Sequence, residues 1–558
     1  MNSIKDRIKK LYPFQYEDVY DRTKNLIELW KPKINLVYPW VDKNDIMLIT
    51  YGDGIQRKEE APLKTLKALL DEELEGYISA VHLLPMFPYT SDDGFSVSDF
   101  RLINPDLGDW EDIDQLKVNY DLMFDAVINH ASVSSMYFKE FLKGTEKYKN
   151  FFITADPKKD YSMVIRPRAL PLLTKYEAEN SSKYVWTTFS EDQVDFNFKD
   201  PEVLLEILDI LLLYVSKGAR FLRFDAIGFA WKEDDTNCMH LPQTHELVKL
   251  LREVLEACVK GCTIITETNV PHKDNISYFG NGYDEAGLVY QFPLPPLTLY
   301  SFISGNAKEL SNWAASLDNT TETTTYFNFL ASHDGIGVRP VEDILDNEQR
   351  NRIVETVLQR GGQIGYRSLP DGSQVPYELN INYLDAIAGD ETDLEVMVQK
   401  YMCSQCVLMS IVGMPAIYYH SLLGSRNCYK DYEESGIKRR INREKLDFEE
   451  LQNELINPES LRRNVLDRYK KMIKIRKQHV AFSPNSPQEV ISFDERVFSF
   501  IRGDKEQKVL VLINVSRDKI ILNTKFDGID LFTNRKMSGN ICMNPYDYMW
   551  LLLNEEEK

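Results

Sequence analysis

Arg223 and Asp225 stand two residues apart in the stretch RFLRFDAIGFAWK (220–232), whose Phe221, Leu222, Phe224 and Ile227 form the apolar body of a buried strand. Side chains two apart leave a strand on the same side, so a guanidinium and a carboxylate share one face. Buried charge is costly unless each partner satisfies the other or a substrate. A structural ion pair meets that requirement, and so does a catalytic carboxylate held by an arginine. Other strand-like runs end in similar chemistry. DLMFDAVIN (121–129) leads through Asp125 and Asn129 to His130, TIITET (263–268) carries Glu267, and TYFNFLAS (325–332) runs into His333 and Asp334. Gathered at one rim, the carboxylates Asp225, Glu267 and Asp334 and the histidines His130 and His333 suit glycosyl transfer through an oxocarbenium-like transition state. One carboxylate attacks the anomeric carbon and a second protonates the leaving oxygen. A third anion steadies the developing charge. The acid must keep its proton near neutral pH, which burial and like-charged neighbours favour.

A scaffold must bring those ends together. Besides the four runs above, IMLITYG (46–52), AVHLLP (80–85), AGLVYQF (286–292) and MPAIYYH (414–420) read as strands. Amphipathic stretches such as LKTLKALLDEEL, PEVLLEILDILLLYVSKG and THELVKLLREVLEACVKG lie between them. Strand–helix alternation implies a parallel sheet, and eight such units imply a closed (β/α)8 TIM barrel. A doubly wound open sheet is the competitor, but no GxGxxG follows any strand. The barrel is predicted to comprise 46–130, 201–334 and 396–484. Residues 131–200, after the third strand, and 335–395, after the seventh, read as inserted lobes on the face where barrels keep their active sites. Residues 1–45 read as an N-terminal helical extension. Short alternating runs (RVFSFIR, KVLVLINV, KIILNT, GIDLF, YMWLLL) make 485–558 an all-β domain.

Composition sets outer bounds. The chain has 558 residues, 43% apolar and 11% aromatic, which describes a folded globular protein. A net charge of −20 argues against nucleic-acid or anionic-membrane partners. Seven cysteines, odd and sparse, suit a reducing compartment better than a disulfide framework. Cys403 and Cys406 form a CxxC inside the apolar run YMCSQCVLMSIVG, with no second CxxC and no nearby His, and read as core residues. MNSIKDRIKKLYPF lacks the apolar segment of a signal peptide, and no run of about 18 apolar residues occurs. A cytoplasmic protein without membrane partners is expected; a homodimer is left open.

DAVINH, RFLRFDAIG, IITETN and FLASHD resemble, in order and spacing, the four short conserved regions of the α-amylase superfamily, glycoside hydrolase family 13. The resemblance makes Asp225 the nucleophile, Glu267 the general acid/base and Asp334 the transition-state stabiliser, with Arg223, His130 and His333 gripping the glucosyl ring. ITYGD, HLLPMFPYTSDDGFSVSDFR, SHDGIG and RRINRE are similar to the sucrose phosphorylase subfamily, which transfers glucose to phosphate. That similarity implies Asp93 and Phe95 as the glucose-pocket acid and aromatic platform, Arg443 as a second sugar-binding arginine, and Phe189 at the pocket entrance. It also implies no metal or cofactor. Asn129 occupies a place where many amylases ligate calcium, but one Asn is a poor site for a cation that wants six to eight oxygens.

The chain departs from the sucrose enzymes at Asn269, where they carry His, and at Tyr377-Glu378, where they carry Tyr-Gln. RPRALPLLTKYE, WTTFSEDQVDFNF, IITETNVPHKDNISYFG and VPYELNINY look instead like the glucosylglycerate phosphorylase branch. The small-molecule substrates this implies are an α-glucoside, inorganic phosphate and glycerate. Phosphate and glycerate are anions, so cations are expected on the acceptor side; Arg166, Arg168 and Lys232 are the candidates, beside Asn269, Tyr377 and Glu378. Glu378 sits awkwardly there, since its carboxylate repels an anion unless it turns away or bonds a hydroxyl. Readings that share the barrel are a sucrose, sucrose 6-phosphate or glucosylglycerol phosphorylase, an α-glucosidase or transglucosidase, and a catalytically dead scaffold, against which the intact carboxylate triad argues.

Overall fold

The computed structural model describes residues 2–168, 170–179, 181–368 and 373–554. Eight parallel strands close into a barrel: β1 (Met47–Thr50), β2 (Ala80–Leu83), β3 (Asp121–Ala126), β4 (Ala219–Phe224), β5 (Thr263–Thr266), β6 (Leu288–Tyr290), β7 (Thr325–Asn328) and β8 (Met414–Tyr418). Each pairs with its neighbours in this order, and β8 closes on β1. Every expected run holds one strand. The strands stop short of the runs because the residues beyond them leave the ladder to form the rim. β4 is buried along its whole length, as a parallel strand with both faces covered must be. Its register sets Arg223 opposite Asp125 on β3 and Ile265 on β5.

The N-terminal extension is two helices, α1 (Asn2–Leu11) and α2 (Tyr16–Trp30). They dock on the two helices that flank β4 in sequence, α3 (Pro201–Ser216) and α4 (Pro242–Cys258). Ile4, Ile8 and Leu11 are buried from α1, and Arg7 bonds Glu253 at 2.6 Å and Glu246 at 3.1 Å on α4. On α2, the Trp30 indole donates to Asp209 at 2.6 Å and Arg22 grips Glu202 on α3. The extension is a buttress on the outer helical ring.

Two excursions cover the C-terminal rim. After β3, a short strand His130–Ser132 pairs with Gln193–Asp195, and between them lie a helix (Met136–Lys143) and a hairpin (Leu173–Glu177 with Ser182–Trp186). After β7, strands Ile336–Gly337, Gln374–Asn380 and Gln363–Ser368 form a small antiparallel sheet. The middle strand of that sheet carries Tyr377 and Glu378.

Past the barrel, a six-stranded sheet runs in the spatial order Gln488–Val490, Val497–Gly503, Lys508–Asn514, Tyr548–Leu553, Gly528–Asp530, Arg535–Met537, beside a separate pair, Ile520–Asn523 with Asn540–Met543. It is fastened to the barrel by buried polar contacts. The Trp550 indole donates to Ser410 Oγ at 2.7 Å, and Arg502 donates to the carbonyls of Ser410 and Ser483 at 2.6 and 2.7 Å. Cys403 and Cys406 are buried on the helix Leu394–Ser410, and burial pushes the Cys406 thiol up to about 12. That places both cysteines in the core, as expected of an inert pair. Among the described residues no helix is long and apolar enough to cross a membrane.

Candidate active site

The site is built outward from Arg223. Its Nη1 donates to Asp125 and, at 2.8 Å, to Asp225, while Nε donates to the Tyr290 hydroxyl at 3.1 Å. The second Asp125 oxygen accepts from His82 Nε2 at 2.7 Å. A buried chain, His82–Asp125–Arg223–Asp225, therefore links the ends of β2, β3 and β4. One residue beyond, Ala226 adopts a left-handed φ of 51°. A non-glycine residue held there signals strain that its surroundings over-determine. The turn stops β4 and leaves Asp225 at the rim. The freed Ala226 N–H donates to Glu267 Oε2 at 3.1 Å, so the carboxylate at the end of β5 is anchored beside the one at the end of β4.

The two carboxyl groups sit in different fields. Burial pushes Glu267 up to about 7; Arg223 pulls against this, and the neighbouring Asp225 and Asp334 add to it. Burial raises Asp225 as well, but Arg223 bonds it directly, so Asp225 gives up its proton first. Burial would also raise Asp334, yet Arg439, at 2.6 Å, and Arg443 hold it well below the usual carboxylate range. His333 is pushed down to about 3 by burial and is neutral. Two titratable groups driven apart by their surroundings are the mark of an acid and a base with separate roles.

Asp225, Glu267, His333, Asp334 and Arg439 face a hollow of about 830 Å³, counting its open mouth. Phe95 stacks on His333 with ring centres 4.9 Å apart, and the Phe95 carbonyl accepts from His130 Nε2 at 2.8 Å. Phe189 lies 5.2 Å from the His130 ring. Asp92 is held by Arg168 at 2.8 Å and Gln193 at 3.2 Å. Asn269, Tyr377, Glu378, Arg339 and Arg439 complete the wall.

Residues 75–358 match the family described as alpha amylase, catalytic domain. The chain is 48% identical over 525 residues to a glucosylglycerate phosphorylase of Spirochaeta thermophila, covering 92% of this chain and 89% of that one. It is 46% identical over 516 residues to a glucosylglycerate phosphorylase of Allomeiothermus silvanus, covering 92% of each. The chain belongs to the alpha-amylase family. A crystal structure of sucrose 6F-phosphate phosphorylase from Thermoanaerobacter thermosaccharolyticum superposes with a TM-score of 0.74 at 22% identity, covering 92% of this chain and 99% of that one, and shares the fold.

On this alpha-amylase barrel the structure corrects two sequence-based choices by a few residues. Asp92 and Arg439 line the hollow, whereas Asp93 and Arg443 do not. Asp92 and Asp93 are both left-handed, with φ of 55° and 48°. This tight turn sends one carboxylate inward and the other back to Arg443, at 2.7 Å, and Arg440, at 2.9 Å. Arg443 also donates to the His333 carbonyl at 2.7 Å, so this pair braces the end of β7 from behind. Sequence spacing cannot resolve which of two adjacent acids, or which arginine of RRINR, a turn points inward.

The acceptor-side cations divide in the same way. Arg168 reaches the hollow. Arg166 does not line it and donates to its own loop, at the Leu170 carbonyl. Lys232 is a further correction: its ammonium is buried against Asp195 at 2.5 Å and Asn129 Oδ1 at 3.1 Å, and it lines a separate cavity. The Asn129 oxygen thus already has a cation, supplied by the chain itself. Lys232→Met should cost about 3 kcal/mol of stability, by stranding Asp195, and leave the KM for phosphate unchanged. A raised phosphate KM with normal stability would return Lys232 to the acceptor side. His272 packs near Trp313 and Tyr326, outside the hollow.

Glu378 does not confront an anionic acceptor with a bare charge. Its two oxygens accept from Arg439 at 2.8 and 3.1 Å, and one also accepts the Gly335 N–H at 3.0 Å. The lobe after β7 thereby pins the guanidinium that pairs with Asp334. Freeing Arg439 in Glu378→Ala should lower kcat by about 10-fold or more with every acceptor alike. A loss confined to one acceptor would mean that Glu378 touches that acceptor. Two residues not picked out by the sequence are Arg339, which lines the hollow, and His82, the buried far end of the Arg223 chain.

Proposed function

We propose that the chain is a retaining α-glucosyl phosphorylase that interconverts 2-O-α-D-glucosylglycerate plus phosphate with α-D-glucose 1-phosphate plus D-glycerate. The observation that carries the chemistry is the pairing of Asp225, held by Arg223, with Glu267, pushed up to about 7, in one hollow. The 48% and 46% identical glucosylglycerate phosphorylases support the choice of acceptor.

Asp225 attacks the anomeric carbon and the glycosidic bond breaks. Glu267 gives its proton to the departing glycerate oxygen, leaving a β-glucosyl ester on Asp225. A phosphate oxygen then attacks the same carbon, its proton passes to Glu267, and the Asp225 carboxylate leaves as α-glucose 1-phosphate forms. Asp334, held anionic by Arg439, stabilises positive charge on the ring at both transition states. Phe95 and His333 offer the sugar a platform, Asp92 and Arg439 meet its hydroxyls, and His130 is fixed by its bond to Phe95.

Incubation with D-glycerate and α-glucose 1-phosphate should release inorganic phosphate. No release, beside brisk phosphorolysis of sucrose, would reject the glycerate acceptor. Free glucose formed equally fast with and without phosphate would make the enzyme a hydrolase. The free cysteines, six of seven buried, suit a reducing compartment, and the cytoplasm is the proposed location.

A further inference from the structure

We propose that Arg339 is the specificity-determining cation of the acceptor half, its guanidinium taking the carboxylate of the hydroxy acid that leaves and re-enters the site. The proposal rests on the phosphorylase reading above and adds to it the group that tells an acid acceptor from a neutral one.

Arg339 opens the short turn Arg339–Val341, just past the strand Ile336–Gly337. Pro340 stiffens that turn, and the Val338 N–H donates to the Tyr377 carbonyl at 3.0 Å, which holds the turn beside the strand carrying Tyr377 and Glu378. The half-buried Arg339 lines the hollow with Asn269 and Tyr377.

What sets Arg339 apart is its lack of a partner. The other guanidiniums of the hollow and its surround are each matched to carboxylates. Arg168 has Asp92, Arg439 has Asp334 and Glu378, Arg223 has Asp125 and Asp225, and Arg440 and Arg443 have Asp93. Among the described residues the Arg339 side chain makes no hydrogen bond and no ion pair, and its backbone carbonyl accepts the Glu342 N–H at 3.1 Å. The nearby Glu342 is taken by Arg367 at 2.8 Å. Burial acts to lower the Arg339 pKa, as expected of a charge partly stripped of water.

A partly desolvated charge with no counter-ion costs stability, and a ligand anion offsets that cost. An arginine fork matches a carboxylate with two parallel hydrogen bonds. Phosphate is the other anion that visits this half, and the test separates the two.

With α-glucose 1-phosphate as donor, wild type, Arg339→Gln and Arg339→Lys are compared on D-glycerate and on glycerol, which lacks the carboxylate. Arsenate-dependent release of glucose from the same donor reads the phosphate position without any glycerate present. The expected result is a 10- to 100-fold fall in kcat/KM for glycerate in Arg339→Gln, carried by KM, and a smaller fall in Arg339→Lys. Rates with glycerol and arsenate should hold within roughly threefold. The melting temperature of Arg339→Gln should equal or exceed that of wild type, because no partner is lost. Equal losses on glycerate and glycerol overturn the assignment, and so does a parallel loss of arsenolysis, which would place Arg339 on phosphate. A wild-type enzyme inert toward glycerate overturns the acceptor reading and this assignment together, and that result appears before any variant is made.

Discussion

Asp225→Asn is expected to fold normally and to transfer almost no glucose, with kcat down roughly 10⁴-fold or more, the scale on which a lost nucleophile is felt. The fold should tolerate the change because, among the described residues, the Asp225 side chain makes a single hydrogen bond, to Arg223 Nη1. Arg223 keeps Asp125 as its buried counter-ion, so no charge is stranded. An Asn oxygen can still accept from Nη1. What disappears is the anion that attacks the anomeric carbon. Mass spectrometry of wild type quenched during turnover should find one glucosyl unit on the peptide containing Asp225, and none on the variant. A variant that keeps a substantial rate, or a wild type that never carries glucose, would remove the covalent route.

Glu267→Gln should lower the rate with glucosylglycerate by about 10³-fold, in the range of general acid catalysis, and should change the shape of the pH profile. The glucosylation step needs Glu267 protonated and Asp225 ionised. In wild type, therefore, kcat/KM falls on the alkaline side as pH rises through about 7, where Glu267 loses its proton. The acidic limb follows the protonation of Asp225. Gln cannot titrate, so the alkaline limb should vanish. α-Glucosyl fluoride, whose leaving group departs without a proton, should restore formation of the ester in the variant. An unchanged alkaline limb, or no recovery with the fluoride, would assign the acid elsewhere.

The same shift bears on stability. The folded state raises Glu267 from its ordinary value of 4.5 to about 7, so between those values the folded form binds the proton that the unfolded form releases. The cost of burying this carboxylate accumulates as pH rises through that window and is complete above it. Glu267→Gln should therefore gain more thermal stability at pH 8 than at pH 5.

What was legible in the sequence was the periodic and the local. Alternating strands and amphipathic helices specify a barrel because a parallel strand must be covered on both faces, and all eight runs hold barrel strands. Asp225, Glu267 and Asp334 were readable as a group because each stands at the end of a strand, and closure of the barrel makes strand ends converge whatever their separation in the chain. Turn residues and insertions were not readable in that way. Left-handed backbone at Asp92 and Asp93 decides which acid enters the hollow, and the strand Gln374–Asn380 brings Glu378 to Arg439. Lys232 carries the charge an anionic acceptor needs and lies just past the nucleophile strand, yet its ammonium turns to Asp195. Sequence by itself determined the scaffold and the three carboxylates at its strand ends, because period and strand-end position follow from local chain geometry. Tertiary structure alone decided which charges are spent on one another and which, as at Arg339, are left for a ligand, because the pairing of charges depends on distances between segments far apart in the chain.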